Sequence, residues 1–293
     1  MKKSLNYLSI IFLIFCSSYL FSQEIKIEDW YQKFFLLENI SKNYKIQEYT
    51  LNTNELYEVN KKLSLFNINM NNGILLITVL PDLKGNEDWI KIDINKIKDR
   101  IITDNGINNF ISEQFSNNSP KSKTMKYGLI KRINNEYYVS NYCLVEYFNI
   151  REYEYPQIVK YGTINTRENP VTIKDMDDIY KKKYPKDKFP LDVRPPINRF
   201  MDDVIERNYL SKEYKIKNDL AYQFWTYDRW DTTDYYNTRR GIDRFIYIPQ
   251  KGIIGGSYDF YFEYNNGKGP IISYKKLWDN IINEKVMIAE ELK

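Results

Sequence analysis

The chain has 293 residues, 43 Lys and Arg against 39 Asp and Glu, two cysteines and no histidine. That length sets an expectation of one large domain or two modest ones, and 15 Phe with 27 Tyr supply enough core material to exclude disorder over most of it. Without histidine there is no Ser-His-Asp triad, Cys-His dyad or histidine zinc site, and two cysteines cannot build a thiolate zinc site. What survives is chemistry by Asp/Glu pairs, Lys, Tyr, Arg or an oxygen-ligated metal.

The N-terminus reads as a secretory signal peptide over residues 1–22. Lys2-Lys3 precede an apolar run, Ile10–Cys16, that extends to Phe21, and Ser22 is a small residue ahead of a cut at Gln23. The run is too short and interrupted to favour a spanning helix, and no later stretch approaches membrane-spanning length. Phe15 ahead of Cys16 argues against lipidation. Removing Lys2 and Lys3 takes the net charge from +4 to +2. Near balance gives no support for a nucleic-acid partner. The basic cluster Lys181-Lys182-Lys183 with Lys186 and Lys188 is flanked by acids and reads as a solvated helix end. Cys16 leaves with the signal peptide, so Cys143 stands alone, in a strand-like run that predicts burial.

In chain order, Ile27–Ile40 has helical spacing through Ile27, Trp30, Phe34 and Leu37, and Asn54–Leu65 reads as a weaker helix. Gly73–Leu80 is apolar on both faces and predicts a central strand, stopped by Pro81. Asp82–Asp88 lacks the spacing of a calcium loop and reads as a turn. Asp93–Ile102 and Ile107–Phe115 predict short helices. Tyr127–Ile133 and Glu136–Phe148 predict a hairpin across Asn134-Asn135, with a further strand at Pro156–Thr163. Proline-rich segments at 165–170 and 184–196 bracket a helix at Asp175–Tyr184 and mark a boundary. The expected organisation is an N-terminal subdomain over 23–165, a linker over 166–196 and a C-terminal subdomain over 197–293. Ile197–Ile205 has the spacing of an amphipathic helix. Ser273 predicts the cap of a final helix carrying Tyr274, Leu277, Trp278, Ile281, Ile282 and Ile288 inward.

The densest chemistry lies in Ala221–Tyr264. Tyr222–Tyr227 and Arg244–Ile248 predict strands, and alternation from Ser257 to Tyr264 predicts another. Pro249–Gly252 has turn chemistry, and Gly255-Gly256 marks a bulge or a close backbone approach. Hairpins mixed with helices, without a βαβ rhythm, define the expected class: α+β, antiparallel sheets built from hairpins, flanking helices and a C-terminal helix.

Trp225, Tyr227, Asp228, Trp230, Asp231, Asp234, Arg239 and Arg240 form the candidate ligand-binding set. Aromatic faces beside carboxylates and arginines suit sugar rings and small polar ligands. The competing reading is a loop whose acids pair with Arg229, Arg239 and Arg240 while its tryptophans enter the core. Asp259 with Glu263 is a second candidate. As strand residues they would stand about 13 Å apart at roughly 3.3 Å per residue, too far for a glycosidase pair. No phosphate cradle, metal set or cofactor motif is found. The sequence therefore predicts a non-catalytic binding or interaction protein of the bacterial envelope, with a glycan, peptide or envelope protein as partner. An Asp/Glu-dependent hydrolase of cell-wall material and a structural component of an envelope assembly are the alternatives.

Overall fold

Every residue of Gly73–Leu80 is buried, and its side chains divide between two apolar clusters. Ile74, Leu76 and Leu80 enter one, while Leu75, Ile77 and Val79 enter the other. Period-two alternation with apolar groups on both faces requires a covering layer on each side. The computed structural model, which describes residues 31–115, 123–152, 162–186, 204–228, 230, 240–263 and 270–293, supplies both layers.

The elements in order are β1 (Lys33–Leu36), α1 (Leu37–Asn43), β2 (Ile46–Asn52), the single turn α2 (Asn54–Tyr57), β3 (Lys62–Met70), β4 (Gly73–Leu80), β5 (Trp89–Ile92), α3 (Gly106–Gln114), β6 (Lys123–Thr124), β7 (Tyr127–Ile133), β8 (Glu136–Ser140), β9 (Tyr142–Ile150) and β10 (Thr163–Ile164). Then come α4 (Ile173–Lys183), β11 (Arg207–Ile216), β12 (Asp219–Tyr227), β13 (Arg244–Ile248), β14 (Gly252–Ser257), α5 (Asp259–Glu263), α6 (Tyr274–Ile282) and β15 (Met287–Ile288). They form an outer sheet β1-β7-β8-β5, a central sheet β10-β9-β4-β3-β2 with β6 also on β9, and a second outer sheet β11-β12-β13-β14-β15. All pairs are antiparallel except β1 with β7 and β10 with β9. The class is α+β with a C-terminal helix, as the pattern of elements predicts. One apolar cluster joins the central sheet to β11–β15, α4 and α6, drawing on residues from both ends of the chain.

Several local expectations give way to tertiary pairing. Within Ile27–Ile40, Lys33–Leu36 is a strand, because Phe34, Phe35 and Leu36 pair with β7, and the helix begins only at Leu37. Residues 27–30 lie outside the described set. In Asn54–Leu65 the helix stops after one turn at Glu58, whose φ is 59°, and Leu63 and Leu65 belong to β3. Asp93–Ile102 contains two 3₁₀ turns rather than one helix. Glu136–Phe148 breaks at Asn141, so β8 and β9 lie in different sheets. The Tyr31 hydroxyl donates to the Asn141 carbonyl at 2.8 Å and fixes that corner. The alternating run from Ser257 leaves the strand after that residue, and Asp259–Glu263 is helical. Its Tyr258, Asp259, Phe260, Tyr261 and Phe262 are all buried, so alternation had no solvent face to report. Ile288 pairs with Gly255 in β15 instead of extending α6.

Other readings hold. Asn134 and Asn135 take φ of 48° and 66°, the left-handed pair of a two-residue hairpin. A Cβ on Gly255 would collide with the Met287 carbonyl, the close approach that lets β15 pair there. Ser273 accepts from the Lys276 amide and caps α6. Cys143 is fully buried, which pushes its thiol up to about 12. The predicted signal peptide, the strand from Pro156 to Tyr161 and residues 197–203 of the predicted helix lie outside the described residues.

Asn67 shows how the central sheet grips its neighbour. Its amide accepts from the Ile253 N–H at 2.7 Å and donates to the Ile253 carbonyl at 2.9 Å. Asn67→Ala strands two buried backbone groups of β14 and is expected to cost about 3 kcal/mol. Urea unfolding should show the midpoint fall with the slope unchanged, while exposed Asn71→Ala stays within about 0.5 kcal/mol of wild type.

Candidate functional site

The predicted aromatic set converges, but inside the protein. Trp225 is 0% exposed. It stacks on Tyr209 with centroids 4.3 Å apart, and its indole N–H donates to the Val171 carbonyl at 2.8 Å. Trp230 meets Tyr227 and Trp278 edge-on, at 5.3 and 5.9 Å, and donates to the Thr226 carbonyl. These rings fill the space between β12 and α6. Asp228 and Arg240 are buried beside them. Arg229, Asp231, Asp234 and Arg239 lie outside the described residues.

Asp228 finds its cation on another sheet. Lys123 of β6 approaches its carboxylate at 2.5 Å and also donates to the Arg240 carbonyl. Arg240 donates to the Asp228 carbonyl at 2.5 Å and lies 4.0 Å over the Phe260 ring. Glu146 of β9, in register with Lys123 and 2% exposed, accepts the Ile242 N–H on both oxygens at 3.2 Å. Gly241 takes φ +87° there, and a side chain on it would strike the Glu146 carboxylate.

A second group continues the seam. Arg244 pairs with Asp259, whose other oxygen accepts from Asn280 at 2.9 Å. The Asp243 carboxylate lies 3.4 Å from the Phe260 N–H. Tyr57 accepts the Tyr258 N–H at 2.6 Å, and the Tyr258 hydroxyl bonds Thr78 at 2.7 Å. Three cations, Lys123, Arg240 and Arg244, thus face four carboxyls, Asp228, Glu146, Asp243 and Asp259, between the central sheet and the β11–β15 sheet. Burial pushes the Glu146 carboxyl up to about 7 despite Lys123. Burial and then the Asp259 charge raise Asp243, against the pull of Arg244 and Arg240. Burial lowers Lys123, with Asp228 opposing.

Asp259 and Glu263, one helical turn apart on α5 rather than four strand residues, do not form an open pair, since Asp259 is 0% exposed within its ion pair. Asp82 accepts the N–H groups of Lys84 and Asn86 at 2.7 and 2.9 Å, which makes 82–88 a self-bonded turn. Among the described residues no group of three His, Cys, Asp or Glu side chains is placed to hold a metal ion. Among them, too, no helix is long and apolar enough to cross a membrane.

An open cleft lies on the other face of the central sheet, with a volume of about 260 Å³. The β3–β4 turn contributes Asn71 and Asn72, α3 contributes Asn108 and Ile111, and Tyr44, Met70 and Tyr147 complete the wall. Tyr147 is held by Phe115, stacked at 5.9 Å and 10°, and by Gly73, where a Cβ would stand 2.9 Å from the phenol oxygen. Burial raises the Tyr147 pKa, so the phenol stays neutral. Asn71-Asn72 before Gly73 carries only turn chemistry at the level of sequence. Lys123, Glu146, Asp243 and Arg244 likewise belong to no sequence motif, although an acid between Leu144 and Phe148, on the core face of a strand, is a usable signal.

No protein-family model, curated protein or solved structure matches this chain.

Arg244→Met leaves Asp259 buried without its cation and is expected to cost about 3–5 kcal/mol, with Arg244→Met/Asp259→Leu recovering much of it. The check is a double-mutant cycle of urea midpoints. The raised carboxyls also set a sign for pH. Between about pH 4 and pH 7 the folded chain retains protons that the unfolded chain has released, so stability falls as pH rises through that window. Glu290 and Asp279, lowered by their bonds to Lys62 and Lys285, act in the opposite sense only below the usual carboxylate range. Glu146→Gln should flatten the fall, measured as urea midpoints at about pH 5 and about pH 7.

Proposed function

We propose that this chain is an exported protein of the bacterial cell envelope that acts by binding rather than by catalysis. Export rests on Lys2-Lys3 and the apolar run to Phe21, followed by Ser22. The observation that carries the binding reading is a separation. The buried carboxyls are spent on ion pairs and backbone N–H groups between sheets, while the open cleft is walled by amides, phenols and apolar groups. A hydrolase needs an acid and a base that reach substrate. Glu146 has the raised pKa of a general acid, but it is closed off beneath β6 and residues 240–242. A structural component would need a continuous apolar patch, and among the described residues the large exposed apolar side chains are Ile133, Ile179, Ile205, Leu220 and Ile271, which are not neighbours in the chain.

The test is incubation of the chain from Gln23 onward with whole envelope fragments. Pelleting and the release of soluble sugar ends or amino groups are measured together. The expected outcome is saturable pelleting with no release that scales with protein. Dose-dependent release abolished by Glu146→Gln would instead establish an enzyme, and no pelleting would end the reading of the chain as an envelope binder.

A further inference from the structure

We propose that the cleft beneath the Asn71-Asn72 turn binds one neutral sugar residue of an envelope glycan. The inference rests on the reading of the chain as a binding protein and assigns its ligand class. Three exposed amides, Asn71, Asn72 and Asn108, converge on the cleft from two elements. Their side chains make no hydrogen bond to any described residue. Each offers a donor and an acceptor from one planar group, which matches the paired hydroxyls of a pyranose. Met70 and Ile111 add apolar surface, and the two tyrosines add ring faces with hydroxyls at their tips. A sugar ring has the same division, with C–H faces and a hydroxyl rim.

Size and charge narrow the choice. A volume of about 260 Å³ lies just below the usual range for pockets that enclose drug-sized ligands. It suits one ring, with the rest of the chain leaving through the open side. Among the described residues, none that lines the cleft is a carboxylate, an amine or a guanidinium. The described wall itself thus offers no charged group to select phosphate or a carboxylate-bearing ligand, and Arg151 acts on the Tyr147 phenol without lining the cleft. An extended peptide is disfavoured for a different reason. Peptides gain most from adding a strand to a free sheet edge, and here β4 is paired on both sides, by β3 and β9.

The wall is also preorganised. The Ile150 N–H donates to the Asn72 carbonyl at 3.0 Å, tying the turn to the end of β9. Tyr147 is trapped between Phe115 and the Gly73 backbone. Asn108 stands on α3, whose Ile107 and Phe110 are anchored in the core. A site on fixed elements loses less entropy on binding than one on free loops.

The experiment titrates the protein with glucose, galactose, mannose, N-acetylglucosamine and their short β-linked oligomers, reading the Asn side-chain amide signals by NMR. The expected result is saturable shifts at Asn71, Asn72 and Asn108 with at least one sugar. Asn72→Ala and Asn108→Ala should each weaken binding about tenfold, near the upper worth of one neutral hydrogen bond. Both residues are exposed, so the unfolding midpoint should not move. Tyr147→Phe, which keeps the ring and removes the hydroxyl, gives an independent arm with a smaller loss. The proposal is overturned if no sugar shifts these amides, if the variants bind as wild type does, or if an uncharged tetrapeptide shifts them instead. Should wild type and Asn variants pellet equally with envelope fragments while no sugar binds, the sugar site fails and the binding reading stands. If wild type does not pellet but sugar still saturates the cleft, the envelope assignment fails and the sugar site stands.

Discussion

The middle of the central sheet has no solvent face. Its middle strand, β4, is buried at every residue, and β3 and β9 divide their side chains between the same two apolar clusters. A polar group on such a sheet cannot turn to water, so it must be answered by the layer packed against it. Three such groups face the β11–β15 sheet, and each has its answer: Asn67 in the backbone of Ile253, Thr78 in Tyr258, and Glu146 in the Ile242 amide. Apolar contact alone tolerates sliding of one sheet over another. Three directional answers at separate points do not, so they fix one docking of the two layers.

The charges of the seam follow from the same constraint. Ions taken out of water lose hydration that their mutual attraction only partly replaces. Among the described groups of the seam, the carboxyls with fewest donors yield first. Asp259 holds Arg244 and Asn280. Asp243 has one long backbone contact and a like charge nearby, and it is driven upward. A raised carboxyl is often taken as a mark of catalysis. Here it has a sufficient cause in packing, since Glu146 and Asp243 are both buried.

What the sequence made legible was whatever depends on local chemistry. The Asn134-Asn135 turn, the Pro249–Gly252 turn, the Ser273 cap and the two-faced apolar strand at Gly73–Leu80 all carry their reason within a few residues. The failures share a different cause. Phe34-Phe35-Leu36 fits a helical stripe until the parallel partner β7 is known. Tyr258–Phe262 fits a half-buried strand only if one side meets water, and neither does. The aromatic density around Trp225 and Trp230 was visible, but its direction was not. The same residues make a recognition face or a core plug according to what α6 and the Tyr209 strand bring to them. Asn71, Asn72 and Asn108 were illegible as a group because a turn and a helix more than thirty residues apart meet only through the central sheet.

The two faces of that sheet also separate two physical tasks. The seam lies on one side, and the cleft lies on the other, against the cluster of Phe35, Phe110 and Tyr127. Among the described residues the cleft wall holds amides, phenols and apolar groups; amides do not ionise, and burial raises the Tyr147 phenol. Its hydrogen-bonding character is constant over conditions in which the seam gains and loses protons. Any loss of ligand binding toward neutral pH would then come through the stability of the layers, while the chemistry of contact stays fixed. The sheet that joins them is rigidly paired on both sides of β4. A change at an exposed asparagine on one face therefore leaves the ionic seam on the other undisturbed, and binding and folding can be probed by separate substitutions.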